Sequence, residues 1–389
     1  YNIDQVYPIW QAIETLDSGE FPLAGQGTSV LFANPPLTGY FYVPLIALVR
    51  QPIAAYMLTL MLNTLAIWLA YRGLRWLLGR YPALIGAFLF AVNPWIIEDS
   101  RRTWVQALAP FFVTLVFWAL VPVLTGQTRH PRRRTLIALI GLALFAHTYL
   151  LAFALIAPVG LLIVLFWRQI PKRQLAYGLL FFAVLLAFFS IGLLSQWDNT
   201  RSRAEAFTSG DSQLTGEALS HAIRLVTGNG YADVRGLGAP QDDAELRQDL
   251  TQVIHVVWLT AIIAGVLIAL RAAIRPHTEH ERRVAVILLV WYLLPVAMMS
   301  YVSRVVHPFY MLLTVPAGHG LAAWAVVEIG RYFSPQRAAC RGNAGPRHVR
   351  IAPGRISKPA PTKTPHVLSP CPCLLYTSPS PRDRTRSRM

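Results

Sequence analysis

Apolar residues come in long unbroken blocks along this chain, each close to the roughly 20 residues a helix needs to cross a bilayer. Residues 52–70, 82–97, 108–124, 174–194, 253–270, 284–301 and 308–329 are seven such blocks. Residues 135–167 form a longer apolar run, which predicts a tight helix pair turning near His147-Thr148-Tyr149. The pattern predicts about nine transmembrane helices and an all-α polytopic membrane protein. Residues 39–49 predict a short helix lying at the membrane face.

Polar stretches separate these blocks unevenly. Residues 1–38 read as a first outer loop, residues 39–194 as transmembrane helices, residues 195–252 as a structured outer lid and residues 253–333 as further helices. Within the lid, residues 217–226 predict a short amphipathic helix. After Ser334 the apolar pattern stops, and residues 334–389 read as a disordered basic tail rich in Pro, Arg and Ser. The segment from Cys373 to Met389 resembles a translated sequencing-adapter read, so no function is drawn from the tail. With no Met and no apolar helix ahead of Asp4, a first helix is expected to be missing.

Composition agrees with the membrane reading: 54% of the 389 residues are hydrophobic and 14% charged, and mean hydropathy is +0.43. The net charge of +16 would suggest nucleic acid, but the tail alone supplies +10 of it. All three cysteines also fall in the tail, so the body holds no thiol chemistry. Charge also sets the orientation. Arg72, Arg75, Arg80, Arg129, Arg132, Arg133, Arg134, Arg168, Lys172, Arg173, Arg271, Arg275, Arg282 and Arg283 lie in the short loops of one side, which the positive-inside rule makes cytoplasmic. Fifteen of the nineteen acidic residues lie in the alternate segments, which are therefore the outer ones. A multi-pass protein of the plasma or inner membrane is expected.

Candidate chemistry concentrates on the outer side. Asp4 heads the first loop beside Gln5. A carboxylate just outside the bilayer serves as general base when partial burial lifts its pKa toward working pH, or it is a solvated loop or helix-capping aspartate. Glu98-Asp99-Ser100-Arg101-Arg102-Thr103-Trp104 places two arginines against the positive-inside bias. Arg101 and Arg102 read either as a clamp on a lipid phosphate or as ion-pair partners of Glu98 and Asp99. Trp95 and Trp104 read as interface anchors. Arg304 and His307 open the last outer turn and could reach the same headgroup. His147 is polar inside an apolar run, which marks it as a candidate; His319 is a lesser one. There is no phosphate loop of the Gly-x-x-x-x-Gly-Lys-Ser/Thr kind, no His-Glu-x-x-His and no Gly-x-Ser-x-Gly. No cofactor is indicated and no metal ligands are assigned, though scattered carboxylates leave a divalent metal open.

These motifs together resemble the bacterial glycosyltransferase family 39, the GT-C membrane enzymes of the protein O-mannosyltransferase and aminoarabinose transferase type. The resemblance runs from residue 1 to about 333. It rests on Asp4, Gly25-Gln26-Gly27, Asn34-Pro35-Pro36-Leu37, the stretch from Arg72 to Gly79, Ala91-Val92-Asn93-Pro94-Trp95, Ser100-Arg101-Arg102-Thr103-Trp104-Val105-Gln106 and His307-Pro308-Phe309-Tyr310. It implies a polyprenyl-phosphate sugar donor, a lipid, glycan or protein acceptor hydroxyl, outer-side loops forming the active site, Asp4 as catalytic base, and Arg101 and Arg102 on the donor phosphate. The family often carries Glu after the aspartate, where this chain has Gln5. The alternative is a transporter or flippase of lipid-linked sugars, which shares helices and headgroup arginines but calls for charges at mid-membrane depth. A structural membrane protein would explain the spans and leave the outer arginines without a role.

Overall fold

A computed structural model describes residues 3–28, 33–195, 197–208, 213–230, 244–302 and 306–333. Among these the chain is helical apart from one two-residue antiparallel pairing, β1 (Gln213–Leu214) with β2 (Tyr301–Val302). The tail after residue 333 and Arg304 lie outside the described residues.

All nine apolar stretches are helical. Five segments are long and apolar enough to cross a bilayer: α3 (Ile53–Leu78); α6 (Ala109–Leu124) with the 3-10 turn before it; α9 (Lys172–Leu194); the part of α12 (Ala244–Ile274) from Thr251; and α13 (Glu279–Met299). Two bent pairs raise the number to seven. α4 (Arg80–Ala91) meets α5 (Pro94–Ser100) at 59°, and the 3-10 segment Pro308–Thr314 meets α14 (Ala317–Tyr332) at 65°. Both breaks fall at a proline, whose missing N–H ends the helical ladder. The remaining two stretches are short: α7 (Pro131–Ala146) and the segment Leu150–Leu165, whose second part is α8 (Ile156–Leu165). They turn at His147-Thr148-Tyr149, as the sequence predicts.

One continuous apolar core joins α3, α4, α6, α7, α13 and α14, with Phe117, Leu120, Leu288 and Trp291 fully buried. Met61 and Leu65 on α3, Leu180 and Phe188 on α9, and Val257 and Leu267 on α12 stay exposed, forming an apolar outer face suited to lipid. Helices α12 and α14 approach so closely that a Cβ on Gly265 would stand 2.2 Å from the Leu321 carbonyl oxygen. Small residues permit such contacts between membrane helices.

The first outer segment is largely helical, where the sequence suggested a loop. Ile3–Ser18 forms α1, and Leu37–Val49 forms the short predicted helix α2. The four acidic residues there hide a stripe: Ile9, Ala12 and Leu16 share one helix face and pack on Tyr42, Ile46 and Ala55 in a second small core. The lid contributes α10 (Trp197–Thr208) and the predicted amphipathic helix, α11 (Glu217–Thr227).

Candidate functional site at the outer mouth

Asp4 sits in the first turn of α1, where a negative charge complements the helix dipole. Its Oδ1 accepts a hydrogen bond from Gln26 Nε2 at 2.5 Å. Gln26 is held by a clasp in which Gly25 N donates to the Asn34 carbonyl (2.8 Å) and Asn34 N donates to the Gln26 carbonyl (2.7 Å). Gly25 is required there, because a Cβ would lie 2.8 Å from the Pro35 carbonyl oxygen. Past the clasp the chain docks on the α7–α8 turn. Leu150 N donates to Asn34 Oδ1 (3.1 Å), Leu37 N to the His147 carbonyl (3.1 Å) and Thr38 Oγ1 to the Thr148 carbonyl (3.0 Å).

The second component is the turn after α5. Asn93 caps this helix: its Oδ1 accepts from Trp95 N (3.1 Å) and Ile96 N (3.3 Å), with Pro94 at the first helical position. Beyond the helix, Arg102 folds back to pair with Glu98 and stacks on Trp104, its Cζ 4.3 Å from the ring centroid. Trp104 packs on Phe309 (5.4 Å), and Phe309 stacks on His307 (5.1 Å). Thr103 Oγ1 donates to the Gln5 carbonyl at 2.7 Å. This bond joins the arginine turn to the residue beside Asp4. Tyr42 OH reinforces the joint, reaching Thr59 Oγ1 (3.0 Å) and the Thr103 carbonyl (3.5 Å).

The lid helix α11 closes over the same turn. Asn93 Nδ2 donates to the Leu225 carbonyl, and Trp95 Nε1 to the Asn229 carbonyl (3.1 Å). Val306 N donates to Glu217 Oε2 (3.2 Å), which ties α11 to the loop that carries His307. Burial lowers the pKa of His221 on this helix, and Arg224 lowers it further, against smaller raising effects from the Val306 backbone and Glu217; His307 adds a last lowering effect. Between α11 and α12 lies an open cavity of about 450 Å³, lined by Leu219, Ile223, Arg224 and His255 among others.

The predicted residues thus fall into three groups. Gln5, Glu98 and Arg102 meet at one turn, next to Asp4 in the chain, and Arg102 reaches His307 through the Trp104 and Phe309 rings. Arg101 is exposed at the same turn and makes no side-chain ion pair among the described residues, whereas Asp99 is buried. His147 lends the site only its carbonyl. Its Nδ1 donates to the Ala143 carbonyl (2.7 Å), and its ring meets Phe182 of α9 edge-on. Among the described residues no group of three or more His, Cys, Asp and Glu side chains is placed to hold a metal ion. Gln26, Thr103, Asn93 and Glu217 were not singled out as site residues from sequence. The Gly-Gln-Gly and Asn-Pro runs around two of them were the available signals.

No family model matches this chain, and no curated protein matches it in sequence. Its fold does match solved structures. ArnT from Cupriavidus metallidurans in the apo state aligns with a TM-score of 0.60 at 14% identity, over 87% of this chain and 57% of ArnT. The same protein bound to undecaprenyl phosphate aligns with a TM-score of 0.59 at 16% identity and the same coverage. The oligosaccharyltransferase AglB from Archaeoglobus fulgidus, in complex with an inhibitory peptide and a dolichol-phosphate, aligns at 0.51 and 13% identity, over 89% of this chain and 48% of AglB. The chain therefore spans about half the length of the structures it matches, and shares with them the helical membrane fold of GT-C glycosyltransferases.

Proposed function

We propose that this chain is the membrane part of a glycosyltransferase that moves a sugar from a polyprenyl-phosphate donor to an acceptor hydroxyl at the outer membrane face. Asp4 acts as base. It takes the hydroxyl proton as the oxygen attacks the anomeric carbon, and the bond from that carbon to the phosphate oxygen breaks with inversion. The leaving polyprenyl phosphate carries negative charge, which a fixed outer cation stabilises. Arg101, exposed beside the paired Arg102, suits that task, and His307 stands at the end of the same aromatic row.

The observation that carries this reading is the bond from Thr103 to the Gln5 carbonyl. It ties the first turn of α1, which carries Asp4, to the outer turn that carries Arg101 and Arg102. The fold likeness to ArnT bound to undecaprenyl phosphate and to AglB in complex with a dolichol-phosphate supports the donor class. The Gln26 bond supports the base assignment, since a base must be oriented before its proton arrives.

The test is sugar transfer in membranes carrying the protein, with a panel of radiolabelled polyprenyl-phosphate sugars and Asp4→Asn as the variant. Transfer by the parent and none by a folded Asp4→Asn is the expected result, and the panel names the donor. Equal transfer by both removes Asp4 as base. Movement of labelled lipid across the bilayer without transfer would replace the enzyme reading with a transporter.

A further inference from the structure

The inner rim holds a cluster that the outer chemistry leaves unused. Arg134, in the first turn of α7, lies over Trp118 of α6 with Cζ 4.6 Å from the ring centroid and over Trp76 of α3 at 5.8 Å. Its Nη1 donates to the Trp118 carbonyl at 2.9 Å. Trp118 packs on Trp68 at 6.1 Å, and Arg72 lies over Trp68 at 5.5 Å. Three tryptophans and two arginines from three helices thus form one continuous patch. Arg133 precedes Arg134 in the same first turn of α7 and is exposed there. Among the described residues none of the three arginines has an ion-pair partner, whereas Arg282 and Arg283 on the same side share Glu279 at 2.9 and 3.2 Å.

This arrangement works against helix stability. Cations in a first turn oppose the helix dipole, and α7 has three there with no acidic residue. Like charges gathered at a partly buried site repel until an anion joins them. A second, separate feature points to an acceptor: the Trp118 Nε1 donor is buried with no partner. Depth matters as well. Helix α3 is 26 residues, about 39 Å, against a hydrocarbon core of about 30 Å, so Arg72 sits near the apolar boundary where headgroup phosphates begin. Tryptophan and arginine together match that layer.

We propose that Arg72, Arg133 and Arg134, with Trp118 Nε1, bind the phosphate of one anionic phospholipid from the leaflet at this rim, which the positive-inside rule makes the cytoplasmic one. The partner is a lipid because Trp68, 48% exposed, offers acyl chains an apolar wall beside the cations. The site is distinct from the outer mouth and does not depend on the transfer chemistry proposed there.

The full chain in detergent, titrated with phosphatidylglycerol and followed by native mass spectrometry, tests this. One retained phosphatidylglycerol is expected, with phosphatidylcholine not retained. Arg72→Gln with Arg133→Gln should weaken retention about tenfold. Arg271→Gln with Arg275→Gln should leave it unchanged. Equal weakening by both pairs would mean diffuse surface charge and overturn the site. Phosphatidylcholine retained as tightly would mean an apolar annulus, and displacement by equimolar glycerol 1-phosphate a small-anion site; either overturns the lipid assignment. Should the arginine variants misfold, Trp118→Phe decides. A loss of about threefold supports the site, and unchanged retention removes it.

Discussion

At the outer mouth Arg102 is enclosed by Glu98 on one side and Trp104 on the other. At the inner rim Arg134 has tryptophans on two sides and only arginines for charged neighbours. The two sites use the same residue types in nearly the same stacking geometry. The carboxylate is what differs. Where one is present, the guanidinium becomes a structural tie. Where none is present, it keeps its charge for a ligand. By this measure Arg101 and Arg102, adjacent in sequence and equal as candidates there, differ: Arg102 positions the turn, and under the proposed function Arg101 is the one assigned to the donor phosphate.

The sharpest test of that division begins with the base. Asp4→Asn should lower transfer by about 10²–10⁴-fold without changing thermal stability, measured by initial rates and melting of the purified protein. Next, Arg101→Gln should lower transfer by about 10²-fold with melting unchanged. Arg102→Gln should instead destabilise the fold by about 2 kcal/mol, because the part-buried ion pair with Glu98 and the stacking on Trp104 are lost together. If the two arginine variants behaved alike, the division of roles would collapse. A smaller effect is expected from Thr103→Val, which removes one hydrogen bond to Gln5 at about 1 kcal/mol and should show as raised amide exchange at the start of α1.

The smallest effect is pH-dependent. His221 has a folded pKa below its unfolded value, so the unfolded state binds more protons in between. Its contribution is therefore complete above the unfolded pKa, near 6.5, and is lost as pH falls through the folded value. Amide protection factors in α11, which already allow for the slower intrinsic exchange in acid, should be lower at pH 5.5 than at pH 7.5, and His221→Phe should flatten the difference.

The sequence was most legible where the bilayer imposes a long-range rule. Span positions, the α7–α8 turn and the amphipathic α11 follow from apolar length and periodicity, whereas the bend at Asn93-Pro94 interrupts a block read as one span. It was least legible where residues far apart meet. Thr103 with Gln5, and Asn34 with Leu150, are separated by 98 and 116 positions, and nothing local announces either pair. Helix α1 was missed because its three carboxylates outweighed a narrow stripe of Ile9, Ala12 and Leu16 that only gains meaning once α2 lies against it. Gln26 stood in a noted glycine run, but its aim at Asp4 depends on the clasp with Asn34.

The short pair α7 and α8 has a consequence for the membrane itself. Sixteen residues in α7 reach about 24 Å, some 6 Å less than an average hydrocarbon core. A spanning pair this short would thin the bilayer beside it into a dimple. The dimple lies beside the turn on which Asn34, Leu37 and Thr38 dock. Headgroups around it are drawn down toward the protein, and a long flexible isoprenoid tail fits a depressed surface better than ordered saturated chains do. Under the proposed function, acyl-chain length would thereby control how readily the polyprenyl-phosphate donor arrives.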